Sequence, residues 1–293
     1  MTATDIELPS AIRRNAAVSQ QTAIEQARAV AEVAAQVRVA KDFPRDLAEA
    51  HRLMREACDS LDLAQRAFYS VPNRGHDSSV HLLRELARCW GNIQHGVVEL
   101  SRDDERGESE VQAWAWDVET NSRSVRSFIV PHAVMKGKGE NKTRKALDDL
   151  TDIVNNNNSV GSRAVRETIR HVLPVGFVKE AERLCEARLV KGDGEPLEVR
   201  IGHAIANFGR ASVTVPMLEK RLGVTQDKWT EEDLATLAVL YASLKAGETT
   251  KAEEFPDLAE GEAKSTKVTA EEITGVPDNS DVAANDPASG GGS

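Results

Sequence analysis

A change of hydrophobic period near residue 91 constrains this chain more than any other feature. Before it, apolar residues recur at spacings of three and four. Ile24, Ala27, Val30, Ala31, Ala34 and Val37 do so between Ser19 and Val39. Leu47, Ala50, Leu53, Met54 and Ala57 repeat the pattern up to about Cys58, and Leu82, Leu83, Leu86 and Cys89 repeat it from Val80 to Trp90. These are helical faces. After Gly91-Asn92 the period becomes two. Ile93–Leu100, Ser109–Val118 and Arg123–Val130 are separated by short polar turns at Asp103–Gly107 and Glu119–Asn121. Three such runs predict an antiparallel meander. In the middle run Val111, Ala113, Ala115 and Asp117 face one side, and Gln112, Trp114, Trp116 and Val118 the other. The two tryptophans are expected in the core.

Capping and breaking residues divide the remainder. Asp46, after Phe43-Pro44, and Ser78 or Ser79 are placed to cap helices. Leu61–Phe68 reads as helix or short strand, and Val71–Asp77 as a loop by its Pro, Gly and Asn content. Lys136–Thr143 is a basic loop and Arg144–Val154 a helix, broken by Asn155–Ser159. Val160–Val172 and Val175–Leu189 are helices joined at Leu173-Pro174. Lys191–Gly194 reads as a linker. Leu197–Phe208, Val215–Leu222 and Glu231–Lys245, the last capped by Thr230, form a small helical unit. The expected organisation is a flexible N-terminus over 1–18, a core over 19–190, a helical unit over 195–247 and a disordered acidic tail over 248–293. The fold class is α+β.

The 293 residues hold 40% hydrophobic and 29% charged residues, an ordinary globular balance. No apolar run approaches the roughly 20 residues that span a bilayer. Met1–Ser10 lacks the basic and apolar regions of a secretory signal. The three cysteines, Cys58, Cys89 and Cys185, show no metal-ligand spacing and read as small buried hydrophobes in a reducing cytoplasm.

A net charge of −10 argues against an anionic partner until its distribution is considered. Thr250–Ser293 alone carries −7, so the rest of the chain carries only −3. Ser122–Arg170 holds ten Lys/Arg against five acids. Segregated charge of this kind marks a local basic surface in an acidic protein. Arg163, Arg166 and Arg170 share one helix stripe, with Glu167 the acid inside it. Arg123 and Arg126 on the third strand, and Lys136, Lys138, Lys142, Arg144 and Lys145 in the loop region, add the same sign. Such a groove holds a phosphate backbone without reading bases. Tyr69 and Arg74 are candidates to flank it.

Signals for enzyme chemistry are weak. In Gly137–Thr143 the glycines that a phosphate-binding loop needs before Lys142 fall on Asn141 and Lys136. No nucleophile elbow, zinc-protease or dinucleotide fingerprint occurs. Asp103-Asp104-Glu105 reads as a solvated hairpin turn rather than a Mg²⁺ site. No catalytic residue, metal or cofactor is expected.

Three segments together resemble the phage single-strand DNA annealing proteins, the RecT/Redβ/Erf group. They are Leu86–Ile93 (LARCWGNI), Gly107–His132 (GESEVQAWAWDVETNSRSVRSFIVPH) and Gly161–Pro174 (GSRAVRETIRHVLP). The resemblance covers about Ser19–Leu189 and implies a β-β-β-α core. It implies ATP-independent binding of single-stranded DNA and annealing of complementary strands in recombination. Arg163 and Arg166, then Arg170, carry over as backbone contacts. A homo-oligomeric ring or filament, bound to single strands and to the annealed duplex in a bacterial cytoplasm, follows from the same likeness. A host single-strand-binding protein or a phage exonuclease is then a candidate partner for the tail, which is also placed to compete with DNA for the groove. The alternative is a non-enzymatic oligomeric scaffold with no DNA function.

Overall fold

Helix caps set the first third of the chain. The structure, a computed structural model, describes residues 20–72, 75–136 and 143–255. The expected flexible N-terminus and most of the acidic tail lie outside these. Helix α1 (Gln20–Asp42) ends before Pro44. The Asp46 carboxylate accepts the Ala48 and Glu49 N–H groups and starts α2 (Leu47–Cys58). Ser60 caps α3 (Leu61–Arg66). The expected loop over Val71–Asp77 is instead part of a hairpin, β1 (Phe68–Val71) against β2 (Gly75–Ser78). Phe68 and Ser70 alternate into the interior, which pins the register of so short a strand. Ser79 caps α4 (Val80–Trp90), whose inward residues include Leu82, Leu83 and Leu86.

The expected meander is present as β3 (Ile93–Asp103), β4 (Glu108–Asp117) and β5 (Ser122–Pro131), in that spatial order. The chain is therefore α+β, with a three-stranded antiparallel sheet packed by helices. Ser109, Val111, Ala113, Ala115 and Asp117 are the buried side of β4. Trp114 and Trp116 are on the opposite side and half-buried, so their assignment to the core is corrected. Small residues fill the inner face because a helix lies close against it.

That helix is α5 (Leu150–Val172), which follows a short hairpin of β6 (Ala133–Lys136) and β7 (Thr143–Ala146). The helix expected from Arg144 therefore begins only at Leu150, capped by Asp149, and the asparagine run does not break it. Ile153, Asn157, Gly161, Val165, Ile169 and Val172 form one continuous buried face. Tertiary burial overrides the poor helix propensity of asparagine. At Gly161 a Cβ would stand 2.6 Å from Val97 Cγ1, so glycine sets how closely α5 approaches β3.

Helix α6 (Val175–Lys191) follows, then α7 (Leu197–Arg210), α8 (Val215–Leu222), α9 (Glu231–Ala246) and α10 (Lys251–Glu254). Thr230 and Asp233 close the capping box of α9. The described residues up to Glu254 form one compact unit; α9 packs on α6, β1 and α3, and Val239 joins the main core. The expected start of the disordered tail at 248 is also corrected. Thr249 and Glu254 are buried, and Glu254 accepts the Ser70 hydroxyl at 2.6 Å and Arg221 Nε at 3.3 Å. These partners lie far away in sequence and order the segment. The cysteines are free and buried, and burial pushes the Cys89 thiol up to about 11.

Candidate nucleic-acid interface

The outer side of α5 presents the arginine stripe, because its inner side is taken by the sheet. Its three members have different surroundings. Arg163 is exposed, with no hydrogen bond or ion pair to another described residue. The Arg166 guanidinium lies 4.4 Å from the centroid of the Tyr69 ring, and its Nε donates to Glu167 Oε1 at 3.1 Å. Arg170 Nη2 donates to Asp77 Oδ1 at 2.5 Å and stands 3.7 Å from Glu182 Oε1. Positive charge is thus open at Arg163, shared at Arg166 and neutralised at Arg170.

The β1–β2 hairpin makes this gradient. Register places Tyr69 opposite Asp77, and the Tyr69 hydroxyl donates to Asp77 Oδ2 at 3.4 Å. Burial pushes the Asp77 carboxyl up, but the Ser78 N–H and the Arg170 and Arg166 charges outweigh it and hold it below its ordinary value. Burial raises the Tyr69 phenol, against the Arg166 charge. Glu248, beyond α9, is raised by its own burial, opposed by the charges of His81, Arg166 and Arg163.

The other basic residues occupy separate places. Arg123 and Arg126 are exposed on β5, an edge strand, opposite Trp116 and Ala113 of β4 respectively. They therefore have opposite parity on the sheet. Arg144 and Lys145 are exposed on β7, opposite Met135 and Val134. Lys136 ends β6 opposite Thr143. Arg74, Lys138 and Lys142 lie outside the described residues. The structure brings Tyr69 together with Arg166, as two neighbours of one stripe. It does not bring Arg123 into contact with that stripe: Arg123 shares a cross-strand row with Trp116 on the face away from α5.

Sequence reading missed the acids that silence Arg170. Asp77 is 93 positions away in sequence, and Glu182 lies on the next helix. The only local signal for Asp77 is its place beside the Pro/Gly-rich turn.

A serine–histidine pair also draws notice. Ser109 Oγ lies 2.8 Å from His132 Nε2, and His132 Nδ1 lies 4.0 Å from Asp104 Oδ1. Ser109 also donates to Glu99 Oε1 at 2.9 Å. A hydroxyl has one proton, so with Glu99 accepting it His132 Nε2 must be the donor to Ser109. That is the reverse of a general base taking a serine proton. Ser109 is fully buried. The pair fastens the end of β4 to the chain leaving β5. Asp103, the last residue of β3, accepts the Arg106 N–H of the adjoining turn at 2.9 Å. Among the described residues no group of three or more His, Cys, Asp or Glu is placed to hold a metal ion, and no helix is long and apolar enough to cross a membrane. No family model, curated protein or solved structure matches this chain.

Proposed function

We propose that this chain binds single-stranded DNA by its phosphate backbone and anneals complementary strands without ATP. The observation that carries the reading is the Arg163–Arg166–Tyr69 arrangement. An open guanidinium lies one helical turn from a second that is held against an aromatic ring. Guanidinium groups offer planar donor pairs that match phosphate oxygens. A ring beneath one of them limits its rotamers, so less entropy is lost when a phosphate arrives. The contacts carry no sequence readout, as annealing of arbitrary complementary strands demands. Two or three contacts per protomer are weak alone, and several protomers on one strand sum them.

The test is strand annealing followed by energy transfer between two dye-labelled complementary oligonucleotides, without nucleotide and at several salt concentrations. Acceleration over the protein-free rate, lost as salt rises, is the expected result. An unchanged rate with both strands unbound overturns the reading. It then leaves the oligomeric scaffold, which the neutralised Arg170 and the Glu167 partner of Arg166 favour.

A further inference from the structure

Two unpartnered apolar surfaces stand on this chain, and they are matched. The first is α1. Every residue from 21 to 35 is exposed, including Ile24 at 57% and Val30 at 71%. Ile24, Ala27, Val30, Ala31, Ala34 and Val37 line one stripe of it. An isolated helix of 23 residues is marginal in water unless its stripe is covered. The second is the face of the β3–β4–β5 sheet away from α5. Its cross-strand rows are Gln94–Trp116–Arg123, Gly96–Trp114–Val125, Val98–Gln112–Ser127, Ser101–Glu110–Ile129 and Asp103–Glu108–Pro131, and the apolar patch runs through the middle of them with the charged residues toward the two ends. Val98, Val125 and Ile129 are each more than 40% exposed, and the Trp114 indole lies across Gly96, 3.2 Å from where a Cβ would be.

We infer that α1 of a second copy of this chain docks on the open face of the sheet. Dimensions agree: 23 helical residues span about 34 Å, and a ten-residue strand spans about 33 Å. The other face of the same sheet already carries a 23-residue helix, α5, which approaches closely through Gly161. The alanines of the α1 stripe permit a similar approach. A helix on each face turns a two-layer arrangement into a three-layer one, the stable way to bury both sides of a sheet.

Charge argues against a nucleic-acid occupant. The open-face rows hold one cation, Arg123, against three acids, Asp103, Glu108 and Glu110. The root of α1 argues against its own copy. Just beyond Pro44, Arg45 is fixed to Asp117 and Glu119 at the end of β4, and from that anchor the helix leaves the sheet uncovered. The interface is separate from the arginine stripe. A self-associating protein that does not anneal and an annealing protein that stays monomeric are therefore distinguishable.

Sedimentation of the full chain without DNA, across a wide range of concentration, measures self-association. Dimers or larger species are expected. Val30→Asp and Val125→Asp change exposed residues, so circular dichroism should stay native. Each should weaken self-association about tenfold or more, as truncation of a buried anchor does. A Val30→Cys chain mixed with a larger tagged Val125→Cys chain should form a mixed disulfide on mild oxidation, since the native cysteines are buried. A monomer at every concentration overturns the inference. So does a double variant that closes only an intrachain disulfide, which would place α1 on its own sheet. Self-association that neither aspartate weakens overturns it as well, because the interface then lies elsewhere.

Discussion

The Arg166 guanidinium sits 4.4 Å above the ring of Tyr69, a residue 97 positions earlier in the chain. A cation–π contact at a partly exposed site contributes about 0.5–1 kcal/mol, enough to favour one rotamer of Arg166. Tyr69→Phe keeps the ring and should leave strand binding near the original level. Tyr69→Ala removes it and should weaken binding several-fold. Arg163→Ala with Arg166→Ala should lower the slope of log affinity against log salt by about one for each phosphate no longer held, close to two in total. Titration of labelled single strands over a salt series measures both. An unchanged slope in the double variant removes these residues from the interface.

Arg170 belongs to the same stripe but should behave differently. Its guanidinium is held by Asp77 and lies near Glu182, whose side chain is 11% exposed. Arg170→Ala leaves two carboxylates short of a cation, although Lys179 still reaches Glu182 at 2.7 Å. The expected cost is about 1–2 kcal/mol of stability, below that of a fully buried pair because Arg170 and Asp77 are partly solvated. Urea unfolding measures it. Arg170→Ala with Asp77→Asn should cost less than the two changes added together. Full additivity would show that the pair is not coupled.

Much of this architecture was legible in the sequence, for local reasons. The meander announced itself through alternation and turns, and Asp46, Ser79 and Thr230 through capping chemistry. What escaped depended on distant partners. The asparagine run of α5 reads as a breaker until the burial of Ile153, Asn157 and Gly161 on one face is known. Trp114 and Trp116 read as core because aromatics usually are; which side of a strand meets a helix is set by the small residues Ala113 and Ala115, and size was the clue that hydrophobicity hid. The stripe on α5 was visible as spacing. Its division into open, shared and neutralised charge needed the β1–β2 hairpin.

The Arg45 clasp should set acid stability. The Arg45 side chain is 7% exposed, donates to Asp117 at 2.5 Å and Glu119 at 3.1 Å, and lies 4.9 Å from the Trp90 ring. Burial pushes the Glu119 carboxyl up, but hydrogen bonds from Asn92 and Arg45 and the Arg45 charge hold it below its ordinary value. A depressed carboxyl pKa stabilises the fold above the ordinary glutamate range, and the contribution fades as pH falls toward the folded value. Stability should therefore drop on acidification below about pH 4.5, the ordinary value for a glutamate. Arg45→Ala should cost about 3–5 kcal/mol near neutral pH, since it strands two carboxylates. Glu119→Gln should flatten the acid limb. Denaturant midpoints measured from pH 7 to pH 3 decide this; an equally steep acid limb in Glu119→Gln would assign it to other groups.

Gly161 and Val97 offer the most direct check on how α5 meets the sheet. Alanine is the better helix former by about 1 kcal/mol, so on propensity alone Gly161→Ala should stabilise. The packing says otherwise. The new Cβ would lie 2.6 Å from Val97 Cγ1 and 3.0 Å from Cγ2. Both methyls sit on a β-branched side chain with little rotamer freedom, so helix or strand must shift. Overpacking of this kind costs about 1–3 kcal/mol, which outweighs the propensity gain. Gly161→Ala should therefore lower the melting temperature, and Val97→Ala made with it should recover a large part of the loss by opening the space the new methyl needs. Thermal unfolding of the two single variants and the double variant gives the coupling directly. Stabilisation by Gly161→Ala alone would mean that α5 does not lie this close to β3.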